Sequence, residues 1–232
     1  MGEIGDIELF ASLGAESAKR FAPMLTWRTY PANELVIDMD DASNDVLFVV
    51  TGSVRVIHRA DDGKQVILGE LGPGSIFGEM AAIDGIPRSA SVTTLQTSLI
   101  GSMRAQAFLD VLACEPEVCR AVLNLLVGRI RALNHLLSEH AYLTAVERLY
   151  AELLRLSRPR AGHDGQRSIS PPPTQQDLAE RIGSRREVVS RALRKLEKDA
   201  LVEKTRGALV LTDPSALNRR ISLEGLWVKL DP

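Results

Sequence analysis

The chain has 232 residues, 45% hydrophobic and 25% charged. This is the balance of a folded globular protein of about two domains and excludes a disordered or low-complexity chain. No apolar run reaches the roughly 18 to 20 residues of a membrane span, and MGEIGDIELF lacks the basic start and apolar centre of a signal peptide, so a cytoplasmic protein with no membrane partner is expected. The net charge of -2 conceals an asymmetry: residues 1–144 carry 11 Lys and Arg against 18 Asp and Glu, residues 145–232 carry 17 against 12. A basic segment attached to an acidic one fits a nucleic-acid module joined to something else.

Catalytic and metal chemistry find little support. Cys114 and Cys119 are too few for a disulfide framework or a four-thiolate cluster. His58, His135, His140 and His163 form no HExxH or Cys/His cluster, and no phosphate loop, nucleophile elbow or triad spacing is present.

From about Trp27 to Met103 the pattern is short strands with turn punctuation. Val46 to Val50 is a β-rich run ended by Thr51-Gly52, and Val54 to His58 alternates before Ala60-Asp61-Asp62-Gly63, after which Val66-Ile67-Leu68 follows. An Asp-Gly step between such runs predicts a hairpin, because both central residues of a type I′ turn take positive φ. Turns at Gly69, Gly72-Pro73-Gly74 and Gly85-Ile86-Pro87 precede strands at Ala90 to Thr94 and Ser98 to Ile100, a spacing that predicts a β-barrel or roll. Within it, FGEMAAIDGIPRSASV (77–92) sets one acid, Glu79, nine residues from one base, Arg88, among small and apolar side chains. A surface ion pair, a charged turn and a buried pair are the readings that compete with a binding role.

From Pro116 to about Leu143 the periodicity becomes helical, with Leu123, Leu126, Ile130, Leu133 and Leu137 in the 3,4,3,4 spacing of a heptad seam. One long dimerising helix is expected; the alternative is a helix packed on its own domain through Val122, Leu125, Val127 and Leu136. Ala145 to Leu156 is another helix, and RPRAGHDGQRSISPPP (158–173) is a turn-rich connection. Thr174 with Asp177 resembles a capping box opening a helix that Gly183 ends. Ser184 then caps a second helix from Arg185 to about Asp199, with Val188, Val189, Ala192, Leu193 and Leu196 on its apolar side.

A short helix, a glycine turn and a helix opening on basic residues make a helix-turn-helix. Its polar face carries Arg185, Arg186, Glu187, Ser190, Arg191 and Arg194. In a major groove, Arg donates twice to guanine and a carboxylate accepts from cytosine, whereas a mere Glu187–Arg191 surface pair contributes only about 0.3–0.5 kcal/mol. Leu201 to Leu211 reads as a β-hairpin with the basic tip Thr205-Arg206-Gly207, a wing for the phosphate backbone. Asp213-Pro214 can start one more helix.

GPGSIFGEMAAIDGIPRSASV (72–92) and TQQDLAERIGSRREVVSRALRKLEKDALV (174–202), in this order, resemble the cyclic-AMP receptor protein and FNR superfamily of transcription regulators over nearly the whole chain. The resemblance implies an α+β fold: a cyclic-nucleotide-binding β-roll (a double-stranded β-helix) over 1–114, a dimerisation helix and hinge over 115–144, and a winged helix-turn-helix over 145–232. It further implies that Glu79 binds the ribose 2′-hydroxyl and Arg88 the cyclic phosphate, with backbone at Gly78 and Met80, Ser89, and Arg129 near the phosphate completing the pocket. Leu133 and Asn134 match positions that face the base, where the family carries small hydroxyl residues; cyclic AMP and cyclic GMP both remain open as effector. DNA contacts are implied for Thr174, Gln175, Ser184, Arg185, Arg186, Glu187, Ser190, Arg191 and Arg206, with Arg186, Glu187 and Arg191 reading a TGTGA-type half-site and Arg185 standing where Ser is usual. The expected partners are palindromic double-stranded DNA, a second copy of the chain and RNA polymerase. The rival readings are a regulator of this fold that senses another effector or none, and a cyclic-nucleotide-hydrolysing enzyme.

Overall fold

The computed structural model describes residues 2–60 and 63–221, and the chain divides into two compact units, 1–129 and 130–232. The first runs through α1 (Ala15–Phe21), β1 (Leu25–Tyr30), β2 (Leu35–Ile37), β3 (Val46–Thr51), β4 (Val54–Arg59), β5 (Gln65–Leu71), β6 (Ile76–Phe77), α2 (Glu79–Asp84), β7 (Ser91–Thr94), β8 (Ser98–Met103) and α3 (Ala105–Cys114) into α4 (Pro116–Tyr142). Its strands form two four-stranded antiparallel sheets, ordered β1-β8-β3-β6 and β2-β7-β4-β5.

The apolar run in β3 has a physical cause. Successive side chains of a strand point to opposite faces, and both faces of β3 are covered. Leu47 and Val49 meet Ile37, Val54 and Val92 of the other sheet in one core, while Val46 and Phe48 pack with Phe10, Phe21, Phe108, Val111, Val118 and Val122 in a second.

The predicted turns at Gly72-Pro73-Gly74 and Gly85 fall between elements, but Gly69 lies inside β5, opposite Val56. Asn33 and Asp40 take φ of 63° and 66°, left-handed values that Asn and Asp tolerate best after glycine. Around the predicted hairpin, Arg59 pairs with Gln65 and Gly63 has φ 79°; Asp61 and Asp62 lie outside the described residues. The segment after Gly78 departs from the predicted turn. Residues 79–84 form the helix α2, whose six residues between the left-handed Gly78 (φ 78°) and Gly85 (φ 72°) are too few to display a helical period.

The second unit continues α4 and adds α5 (Ala145–Leu156), β9 (Arg158–Pro159), β10 (Arg167–Ile169), α6 (Gln175–Arg181), α7 (Arg186–Lys198), β11 (Val202–Lys204), β12 (Leu209–Leu211) and α8 (Pro214–Arg219). Leu149, Leu153, Leu154, Leu178, Val189 and Leu196 centre its core. The expected turn-rich connection over 158–173 instead supplies two short strands, which extend the wing into a sheet ordered β11-β12-β10-β9. Two- and three-residue strands carry no alternation to read.

The capping box at Thr174 and Asp177 is present, and Asp213 caps α8 through Ala216 N–H. Ser184 is not the cap of α7: its N–H bonds the Ala179 carbonyl, and Arg185, extended and without a side-chain cap bond, occupies the capping position. No helix among the described residues is long and apolar enough to cross a membrane.

Candidate functional site

The first cluster is built around Arg88. Its backbone is tied to the 40–41 turn, donating to the Asp41 carbonyl at 3.0 Å and accepting from Asp40 N–H at 2.9 Å. This carries the side chain inside, 4% exposed, where Nε donates to Ser43 Oγ at 3.1 Å, Nη1 to the Gly78 carbonyl at 2.9 Å and Nη2 to the Asp45 carbonyl at 2.8 Å. Every acceptor is neutral, and Arg88 has no ion-pair partner among the described residues. Burial pushes its pKa below the ordinary arginine value, although Asp45, Asp41 and Glu79 act in the opposite sense.

Gly78 is there for two reasons. Its positive φ suits only glycine well, and a Cβ would lie 2.5 Å from Arg88 Nη1 and 2.8 Å from the Asp45 carbonyl oxygen.

Glu79, 2% exposed at the start of α2, accepts from Arg129 Nη1 at 2.5 Å, and Arg129 Nη2 donates to the Ile76 carbonyl at 2.6 Å. Arg88 is not its hydrogen-bonding partner, so the surface-pair and buried-pair readings of those two residues both fail. Ser89 and Met80 are exposed beside them, Ser89 Oγ at 3.8 Å from the Met80 sulfur. Gly78, Glu79, Met80, Arg88, Ser89 and Arg129 thus share the first unit. Leu133 and Asn134 are exposed on α4 in the second. Ser43 and the carbonyls of Asp45 and Ile76 went unread in the sequence, and for the carbonyls no residue-type signal exists to find them.

On α4, Leu123, Val127, Ile130, Leu133 and Leu137 form an exposed apolar stripe, from 47% to 70% exposed. Leu126, expected in the seam, instead packs against the helix-covered core of the first unit, and Val127 lies exposed. The packed and exposed stripes adjoin at Leu126 and Val127, so spacing alone assigned Leu126 to the wrong one.

The second cluster is the exposed side of α7 and the wing. Val189, Ala192, Leu193 and Leu196 are buried, leaving Arg185, Arg186, Glu187, Arg191 and Arg194 exposed and Ser190 half-buried. Cations at a helix N-terminus oppose the helix dipole, so Arg185 and Arg186 are not explained by helix stability. The Glu187 carboxylate has no ion-pair partner among the described residues; Arg191 Nε reaches only the Glu187 backbone carbonyl, at 3.4 Å. Thr174, exposed, caps α6, with Gln175 and Ser184 half-buried nearby in sequence. Arg206 is exposed at the wing tip, where Thr205 Oγ1 and the Ala208 backbone close the turn.

A roll enclosing a cation that has no carboxylate partner among the described residues, followed by a winged helix-turn-helix with a basic helix, has the layout of a ligand-binding domain joined to a DNA-binding one. Residues 27–114 match the cyclic nucleotide-binding domain family and residues 147–220 the Crp-like helix-turn-helix domain family. The chain belongs to the CRP/FNR family, which is one of transcription regulators and not of enzymes. It is 27% identical over 193 residues to the CRP-like cAMP-activated global transcriptional regulator of Mycobacterium tuberculosis, covering 82% of this chain and 86% of that one. To the cAMP-activated global transcriptional regulator CRP of Haemophilus influenzae it is 26% identical over 208 residues, covering 86% and 93%. Its structure is similar to the c-di-GMP responsive global regulator CLP of Xanthomonas campestris, with TM-score 0.73 and 25% identity over 85% of this chain and 99% of that one. A CooA variant from Carboxydothermus hydrogenoformans shares the fold, at TM-score 0.77 and 18% identity over 93% and 95%.

Proposed function

We propose that this protein is a homodimeric, cytoplasmic transcription regulator whose affinity for a palindromic DNA site rises when cyclic AMP or cyclic GMP binds the roll. The observation that carries the reading is Arg88, a buried guanidinium held only by neutral acceptors. A buried cation without a counter-charge is costly, and the phosphodiester of a cyclic nucleotide supplies one negative charge together with oxygens suited to charge-assisted hydrogen bonds. In this reading Arg88 and Ser89 take the phosphate with backbone at Gly78 and Met80, Glu79 accepts from the ribose hydroxyl, and Arg129 brings α4 to the ligand. Leu133 and Asn134 face the base. The exposed stripe on α4 closes against a second copy, setting two α7 helices on successive major-groove faces. Arg186, Glu187 and Arg191 read bases, while Thr174, Gln175, Ser184, Arg185, Ser190 and Arg206 make the surrounding contacts, and RNA polymerase is the downstream partner.

The similarity to a regulator described as c-di-GMP responsive favours a second reading, a cyclic dinucleotide in the same roll. The test is the affinity of wild type and Arg88→Ala for a selected DNA site with cyclic AMP, cyclic GMP, cyclic di-GMP or no nucleotide. A tenfold or greater gain with one nucleotide, lost in Arg88→Ala, is expected. Equal affinity under all conditions would sink the ligand-switch reading.

A further inference from the structure

Met80 is the second residue of α2, and its side chain lies outside the core. It is 52% exposed, whereas its neighbours Glu79, Ala81 and Ala82 are buried. Ile83, three residues on along the same helix face, and Ile86 just past the helix are exposed as well, so the sulfur stands on an apolar surface open to solvent. Ser89 Oγ lies 3.8 Å from that sulfur, within reach of the weak hydrogen bond a thioether accepts. In the reading given above, the Ser89 hydroxyl serves the ligand phosphate together with the backbone, not the side chain, of Met80.

The other described methionines are placed differently. Met103 is fully buried in β8 and Met39 is half-buried, while Met24, which closes the short 3-10 helix before β1, is 40% exposed. An accessible thioether is the form of methionine that a peroxide converts to a sulfoxide. A sulfur lone pair takes one oxygen from hydrogen peroxide, the O–O bond breaks, and the remaining oxygen leaves as water; sulfur is oxidised and the peroxide reduced by two electrons. The new oxygen is a strong acceptor with partial negative charge, where the thioether was a weak acceptor with almost none. Ser89 Oγ–H then donates to the sulfoxide and is withdrawn from the phosphate, and a negative dipole end is added to a loop that receives an anion.

We infer that Met80 is a reversible oxidation site through which peroxide lowers the affinity of the roll for its nucleotide. The effect on affinity rests on the cyclic-nucleotide reading; the oxidation of Met80 does not.

The test treats the full-length protein with hydrogen peroxide, removes the excess with catalase and adds dithiothreitol, which reverses disulfides and sulfenic acids at Cys114 and Cys119 but leaves a sulfoxide. Peptide mass spectrometry should find Met80 converted at least as fast as Met24, with Met103 intact. Met80 still unmodified once Met24 is converted overturns the site. Isothermal titration with cyclic AMP, cyclic GMP and cyclic di-GMP then compares treated and untreated protein. Affinity for the nucleotide that binds should fall about tenfold or more, the loss of one hydrogen bond to a charged group, and return after treatment with methionine sulfoxide reductases A and B. Met80→Leu, whatever its own affinity, should bind equally before and after peroxide. Met24→Leu should lose affinity on treatment as wild type does, and it keeps the comparison open if Met80→Leu does not fold. Treated wild type that binds as before, or Met80→Leu that loses affinity as wild type does, overturns the proposal. Untreated wild type that binds none of the three nucleotides overturns the ligand reading and the affinity effect with it, while the mass spectrum still decides the oxidation site.

Discussion

Glu79 and Arg129, fifty residues apart in sequence, form a 2.5 Å ion pair in which the carboxylate is buried and the guanidinium also holds the Ile76 carbonyl. The proposed ribose acceptor is therefore already engaged by the long helix. Glu79→Gln keeps the shape and removes the charge, so it weakens both the Arg129 contact and the sugar contact. Isothermal titration should find nucleotide affinity reduced by about 1.5–3 kcal/mol, the range for a hydrogen bond to a charged group.

Arg88→Lys keeps one positive charge but replaces a fork by a single ammonium. It cannot reach Ser43, Gly78 and Asp45 together as the guanidinium does. Nucleotide affinity should fall at least about tenfold, and the unfolding free energy should drop by about 1–3 kcal/mol for each buried carbonyl left without a donor. Titration and urea unfolding give the two numbers separately.

Leu137 is 70% exposed on α4, so replacing it disturbs little within one chain. In the proposed dimer it is buried, and Leu137→Glu sets two carboxylates in an apolar seam. Dimerisation should weaken by about 2 kcal/mol or more, seen as monomer in sedimentation velocity at micromolar concentration, with the circular dichroism of wild type retained.

Among the described residues Glu187 has no ion-pair partner, although arginines flank it. Glu187→Ala should relax discrimination at one base pair of each half-site by ~1–3 kcal/mol while strengthening binding to unrelated DNA. Competition binding at fixed salt against sites varied one base at a time is the check.

His140 gives a pH signature. Burial first, and then the neighbouring Arg148, lower its pKa, with Glu139 opposing. The folded chain thus favours the neutral ring, and the unfolded chain binds the proton first as pH falls. Stability should decline as pH drops below about 6.5, the ordinary histidine value, until the folded value is reached. Melting temperatures from pH 7.5 to 5.5 should show this slope, and His140→Gln should flatten it.

What could be read in advance followed from residue types with one strong local preference. Thr174 and Asp177 made their capping box, and Asp213-Pro214 opened α8. The apolar run of β3 and the buried face of α7 were equally legible. What could not be read depends on distance in the fold: Asp45 and Ile76 contribute only carbonyls to Arg88 and Arg129, which any residue offers. Leu126 and Val127 differ in which side of one helix the core takes up. The strands β9 and β10 exist through their pairing with β12 and have no pattern of their own.

Arg129 and Ile130 are consecutive on α4, one bound to Glu79 and the other 57% exposed in the apolar stripe. In the proposed dimer, effector occupancy and subunit association are therefore linked equilibria sharing one stretch of backbone. By linkage, if nucleotide tightens association by some factor, association tightens nucleotide binding by the same factor. The half-saturating nucleotide concentration would then fall as the protein itself accumulates, so that the cell's stock of regulator sets the threshold at which the signal is heard.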